Sequence, residues 1–125
     1  MNKEIITAQN APAAVGPYSH AVMVGDILYT SGQIGLIPET GTIIEGGIAF
    51  EAEQAIKNLG NVLKSADMDY SNVVKTTLFL ADIKDFAVVN EIYAKYFTEK
   101  PARSCVQAGA LPKGALFEIE AIAVK

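Results

Sequence analysis

Two carboxylates, Glu118 and Glu120, stand two residues apart in the run Phe117-Glu118-Ile119-Glu120-Ala121. On a strand that spacing projects both to one side, about 7 Å apart, with Phe117, Ile119 and Ala121 on the other. A carboxyl pair can handle protons. It can also simply face solvent, as a half-exposed strand alternates, although Ile122 and Val124 continue the carboxylate side and weaken that reading. Arg103 and Cys105 likewise share one side of their strand. The guanidinium fork offers two parallel hydrogen bonds to a carboxylate, either a ligand's or that of one of the glutamates, and the residues alone leave the two readings even. Cys105 by itself reads first as a small buried hydrophobe. His20, the one histidine, has neither acid nor serine in a triad-like context. Gly16-Pro17-Tyr18-Ser19 fixes a bend before a tyrosine, and Ser31-Gly32-Gln33-Ile34-Gly35 ends a strand with two glycines that let a ligand approach the backbone; either can be a plain turn. Their spacing is not that of a phosphate loop or a dinucleotide fingerprint, and no nucleotide, metal or covalent-cofactor signature is present.

The elements that must position these residues follow from periodicity. Residues Ile5 to Thr7, Ser19 to Val24 and Ile27 to Ser31 read as strands, the last two joined by Gly25-Asp26, a step suited to a tight hairpin. After turn-rich Pro38 to Gly47, residues Ala52, Ala55, Ile56, Leu59, Val62, Leu63 and Ala66 recur at helical intervals. Val73 to Leu80 reads as a buried strand, and Phe86, Val89, Tyr93, Tyr96 and Phe97 restore helical spacing until Pro101. Arg103 to Ala108 and Phe117 to Val124 are two further strands, linked by Leu111-Pro112-Lys113-Gly114. The order βββαβαββ predicts an α+β fold, one mixed sheet with two helices packed on one face. A chain this short has no third layer for the other face, so association with copies of itself is expected.

Composition narrows the class. The 125 residues, half of them hydrophobic, suit a single domain spanning 1–125. Ten Lys and Arg against fourteen Asp and Glu leave a net charge of −4, and no basic patch courts a phosphate backbone, so no nucleic acid is expected as a partner. Apolar runs are only a few residues long and Met1-Asn2-Lys3-Glu4 lacks a signal-peptide core, which predicts a soluble, unexported protein without membrane contact. One cysteine excludes an internal disulfide and suits a reducing cytoplasm.

Taken together, Gly16-Pro17-Tyr18-Ser19, Ser31-Gly32-Gln33-Ile34, Asn58-Leu59, Val74-Lys75-Thr76-Thr77, Pro101-Ala102-Arg103-Ser104-Cys105-Val106, Leu111-Pro112-Lys113-Gly114 and Glu118-Ile119-Glu120-Ala121 resemble the RidA/YjgF family of reactive-intermediate deaminases across essentially the whole chain. The resemblance implies a chorismate-mutase-like fold and a homotrimer whose sheets form a central barrel with clefts between subunits. It further implies hydrolysis of 2-aminoacrylate and 2-aminocrotonate, or their imine tautomers, to 2-keto acids and ammonia without metal or organic cofactor. Pyridoxal-phosphate-dependent dehydratases release those compounds. By position, Arg103 looks like the grip on the substrate carboxylate and Glu118 like the residue that positions or activates water. Tyr18, Ser31, Gly32 and Cys105 look like pocket residues. Two departures lie near the expected cleft: the short Thr98-Glu99-Lys100-Pro101-Ala102 connection, and Ala110 where many relatives carry a basic residue.

If the last two strands paired as a hairpin about Lys113, Arg103 would lie roughly 17 Å along the ladder from Glu118. Either those strands are not direct partners, or the two residues meet across a subunit boundary. Two other functions compete: binding of 2-keto acids without turnover, in a carrier or chaperone role, and the ribonuclease or translation-inhibitor activity ascribed to some relatives, which the acidic balance disfavours.

Overall fold

The computed structural model describes residues 2–125. Its strands are β1 (Lys3–Ile6), β2 (Ala21–Val24), β3 (Ile27–Thr30), β4 (Gln33–Ile34), β5 (Val73–Leu80), β6 (Ala102–Gln107) and β7 (Phe117–Val124). The helices α1 (Ile48–Ser65) and α2 (Phe86–Tyr96) fall where apolar residues recur every three or four positions. The two-residue β4 is an addition to the expected order. It is too short for an alternating pattern and is flanked by Gly32 and Gly35, so its sequence reads as a turn.

One seven-stranded sheet runs in the order β1-β2-β3-β7-β5-β6, with β4 pairing β7 beyond the end of β3. β5 and β6 are parallel, and the remaining ladders are antiparallel. Val24 pairs with Ile27 across the Gly25-Asp26 step, where Gly25 takes φ +60, a conformation that costs glycine little. The last two strands are not direct partners, because β5 lies between them. The α2 crossover between parallel β5 and β6 makes that insertion possible, since a parallel pair cannot be joined by a tight turn.

Both helices cover the same side of the sheet. Ala52, Ala55, Ile56, Leu59, Val62 and Leu63 of α1 and Val89, Ile92 and Tyr93 of α2 join Leu28, Leu78, Leu80, Phe117 and Ile119 in one core. Burying each of the larger aliphatic side chains stabilises the fold by about 2 kcal/mol. Asn58 sits within the apolar stripe of α1 and is fully buried. Its Nδ2 donates to the carbonyls of Ile34 (3.0 Å) and Leu36 (2.9 Å), and its Oδ1 accepts from Gln54. These bonds pin β4 and the loop after it to the helix layer, satisfying backbone acceptors that the short strand leaves over.

Among the described residues no helix covers the opposite side of the sheet. Ile5, Tyr29 and Val106 on that side are 63%, 47% and 46% exposed, so it presents apolar side chains that the chain itself leaves open.

Candidate active site

Four of the six site residues that the resemblance assigns line one cavity. Tyr18, Ser31, Gly32 and Glu118, with Gln33, Lys113 and the apolar Pro12, Val15, Ile34 and Leu36, surround a volume of about 430 Å3. Its floor is set by sheet pairing: Ile34 of β4 is in register with Glu118 of β7, which brings the Ser31-Gly32 break alongside the carboxylate. Gly32 is needed there. A Cβ at that position would fall 2.1 Å from Glu118 Oε2, so any larger residue must push the carboxyl away.

The polar groups of this cavity are held by backbone. Ser31 Oγ donates to the Ser19 carbonyl at 2.6 Å, and its N–H donates to the His20 carbonyl at 2.9 Å, so the hydroxyl oxygen keeps accepting capacity. Tyr18 follows a turn in which its N–H bonds to the Gly16 carbonyl, and its ring is half exposed. Lys113, at φ +57, donates from Nζ to the Gly41 carbonyl on the rim at 3.0 Å. Glu118 is half-buried; that burial, and secondarily the nearby Glu120 charge, raises its pKa above the ordinary carboxyl value. Glu120, by contrast, is exposed.

Arg103 and Cys105 do not line this cavity. Arg103 lies on edge strand β6 and turns toward α2, donating from Nη1 to Asn90 Oδ1 at 2.8 Å. Its guanidinium carbon lies 4.9 Å from the Tyr93 ring centroid and 5.3 Å from that of Phe86. Tyr93 is itself fixed, its hydroxyl 2.7 Å from Thr76 Oγ1, and burial raises its phenol pKa despite the opposing Thr76 bond and Arg103 charge. The ion-pair alternative for Arg103 is not what the fold adopts: the partner is a neutral amide, not a β7 glutamate. Cys105 shares the face of Arg103 and packs against the core, and burial raises its thiol pKa against the lowering pull of Arg103. That environment disfavours the thiolate a nucleophile requires.

Register fixes how far apart the two halves lie. Arg103 is in line with Thr76 and Ala121, whereas Glu118 is in line with Phe79 and Val106. That is three residues along the strands and two strands across, about 10 Å in each direction. Arg103 and its neighbour Thr76 face the helices, while Glu118 alternates with buried Phe117 and Ile119 and faces the bare side. Within one chain the two cannot touch the same small molecule.

Asn90, Tyr93 and Phe86, which hold Arg103, were not candidates on sequence. Their spacing on α2 (Asn90 four residues after Phe86 and three before Tyr93) places them on one helix face, but their target emerges only once α2 is known to lie over β6. Asn58 had a readable signal, a polar amide inside an apolar helical stripe.

The family described as Endoribonuclease L-PSP matches residues 8–125. A 2-iminobutanoate/2-iminopropanoate deaminase of Rattus norvegicus is 56% identical over 124 residues, 98% of this chain and 90% of that protein. The Homo sapiens protein of the same name is 53% identical over the same shares. The crystal structure of RidA from an Antarctic Psychrobacter superposes with a TM-score of 0.94 at 44% identity, covering 98% of this chain and 99% of that one.

Proposed function

Since this chain belongs to the RidA/YjgF family, we propose that it is a deaminase that hydrolyses 2-imino acids, formed from 2-aminoacrylate and 2-aminocrotonate, to 2-keto acids and ammonia. The observation that carries the reading is the raised, half-buried Glu118 carboxyl beside the Ser31 hydroxyl in a cavity of small-molecule size. Water adds to the imine carbon and its proton passes to Glu118. The carboxyl returns that proton to the imine nitrogen, giving a carbinolamine, and then carries the carbinolamine's hydroxyl proton to the same nitrogen as the C–N bond breaks, so that ammonia leaves and the former water oxygen becomes the ketone. A carboxyl with raised proton affinity suits both directions of that transfer. Ser31 accepts a hydrogen bond from the water, Tyr18 and Gly32 shape the cavity around it, and Cys105 lines the Arg103 side of the completed site.

Arg103 grips the substrate carboxylate through its fork. Its only direct charge-neutralising need is then met by the ligand, because Asn90 and the two rings hold it without cancelling its charge. The opposite facing of Arg103 and Glu118 supports a site completed between chains, and the open apolar side of the sheet supports a homotrimer with that side turned inward. Residues 1–125 act as one catalytic domain. Its substrates are products of pyridoxal-phosphate-dependent dehydratases. A cytoplasmic location agrees with the single cysteine, and among the described residues no helix is long and apolar enough to cross a membrane.

The endoribonuclease of the family description finds less support here. The net charge of −4 opposes phosphate binding, and the cavity holds one lysine, tied to Gly41.

Complementation tests the shared site. Arg103→Ala and Glu118→Gln are each expected to be inactive when generating 2-aminoacrylate in situ and following pyruvate release. Co-expression is expected to restore part of the activity, because mixed assemblies contain clefts with both residues intact. Full activity in a monomeric variant would refute the arrangement.

A further inference from the structure

His20 has no place in the hydrolysis above, yet it is 5% exposed and borders the Glu118 cavity. Its ring joins two points of a segment that belongs to no helix or strand. Nδ1 accepts the Ala8 N–H at 2.9 Å, and Nε2 lies 2.7 Å from the Pro12 carbonyl. A carbonyl can only accept, so Nε2 carries the proton and the ring is the neutral tautomer. The Ala8–Val15 segment supplies Pro12, Ala13 and Val15 to the cavity and leads through the Gly16 turn to Tyr18. A second hollow of about 380 Å3 lies along the same segment, bordered by Ala8, Ala11, Ala13 and Tyr18, so the loop stands between two spaces. Besides His20, the side-chain tie on this loop is Asn61 Nδ2 to the Asn10 carbonyl.

We propose that His20 is a positioning residue: by bridging Ala8 and Pro12 it holds the wall that carries Tyr18 in the shape that binds substrate. Ala8 is buried, and its N–H would be stranded without an acceptor. The role belongs to the paired acceptor and donor and not to an imidazole as such. A glutamine, with one amide oxygen and one amide nitrogen, can fill it; a leucine of similar bulk cannot.

The test compares wild type, His20→Gln and His20→Leu by calorimetric binding of 2-oxobutanoate, thermal melting and amide hydrogen exchange. The binding arm rests on the reading that this cavity takes the 2-keto acid product. His20→Leu is expected to bind about tenfold more weakly, the loss of two modest hydrogen bonds, while His20→Gln stays within about threefold of wild type. Exchange in His20→Leu is expected to quicken at residues 8–15 and not in β5 or β7. Wild-type affinity in His20→Leu would overturn the proposal. So would a His20→Gln as weak as His20→Leu, or a His20→Leu that melts as a whole instead of loosening locally. If wild type itself fails to bind 2-oxobutanoate, the deaminase reading falls, and the exchange pattern alone decides whether His20 holds the wall.

Discussion

Around Glu118 the protein builds with backbone: a two-residue strand, a glycine that leaves room for the carboxyl, and a loop anchored at Ser31 and His20. Around Arg103 it builds with side chains, clamping a guanidinium between two rings and an amide on one regular helix. The difference fits the roles proposed for the two groups. A proton-transferring carboxyl needs partial burial to raise its proton affinity, and irregular backbone supplies the walls while the lysine of the cavity, Lys113, is tied to the Gly41 carbonyl on the rim. An anion anchor must be aimed while its charge stays available, and neutral partners achieve that.

The contrast is broken most severely at the anchor. Arg103→Ala is expected to lower kcat/KM by roughly a hundredfold or more, since removing one partner of a desolvated charge pair costs about 2–5 kcal/mol. Arg103→Lys keeps the charge but not the planar fork, and an intermediate loss is expected. Steady-state rates of keto-acid release measure both. If Arg103→Lys were as active as wild type, the anchor would be a point charge and the aromatic clamp would be unnecessary for recognition.

On the cavity side the sharper probe is Gly32→Ala. The added methyl must displace the Glu118 carboxyl, an overpacking cost of about 1–3 kcal/mol. The expected result is a fall of about tenfold in kcat from the misplaced acid, with 2-oxobutanoate affinity changed much less. An equal loss in kcat and affinity would mean that Gly32 serves ligand approach and not the placement of Glu118.

How much of this was legible in the residues depends on whether the information is local. Alternation correctly put Glu118 with Glu120, and Arg103 with Cys105, on common sides of their strands. It could not say that the two strands present those sides to opposite faces of the sheet. That relation depends on β5 entering between β6 and β7, a pairing between distant segments that leaves no local trace. Both helices were visible because one face of each meets the core. The strand β4 was not, because its placement comes from Asn58 on α1 and from β7, and two residues carry no period. The family motifs pointed to Arg103 and Glu118 as partners in one reaction, whereas the fold separates them within a chain.

The smallest effect concerns the charge on Glu118. Burial raises its pKa in the folded chain, so folding favours the protonated form and disfavours the ionised one. Its contribution to stability is therefore complete below the ordinary carboxylate range, where it is protonated folded or unfolded, and is lost as pH rises through the raised folded value. Above the ordinary carboxylate range the half-buried carboxyl is a liability that Glu118→Gln removes. The variant is expected to melt above wild type at pH 7, with the gap closing on acidification through the carboxylate range, as thermal scans across pH would measure. A Glu118→Gln protein that melted below wild type at pH 7 would mean that a cation faces the carboxylate in solution, either Lys113 in the same cavity or the Arg103 of a neighbouring copy. The two regions would then be electrostatically joined across the subunit boundary even without substrate, and the distinction between an uncompensated anchor and an uncompensated acid would hold only for the isolated chain.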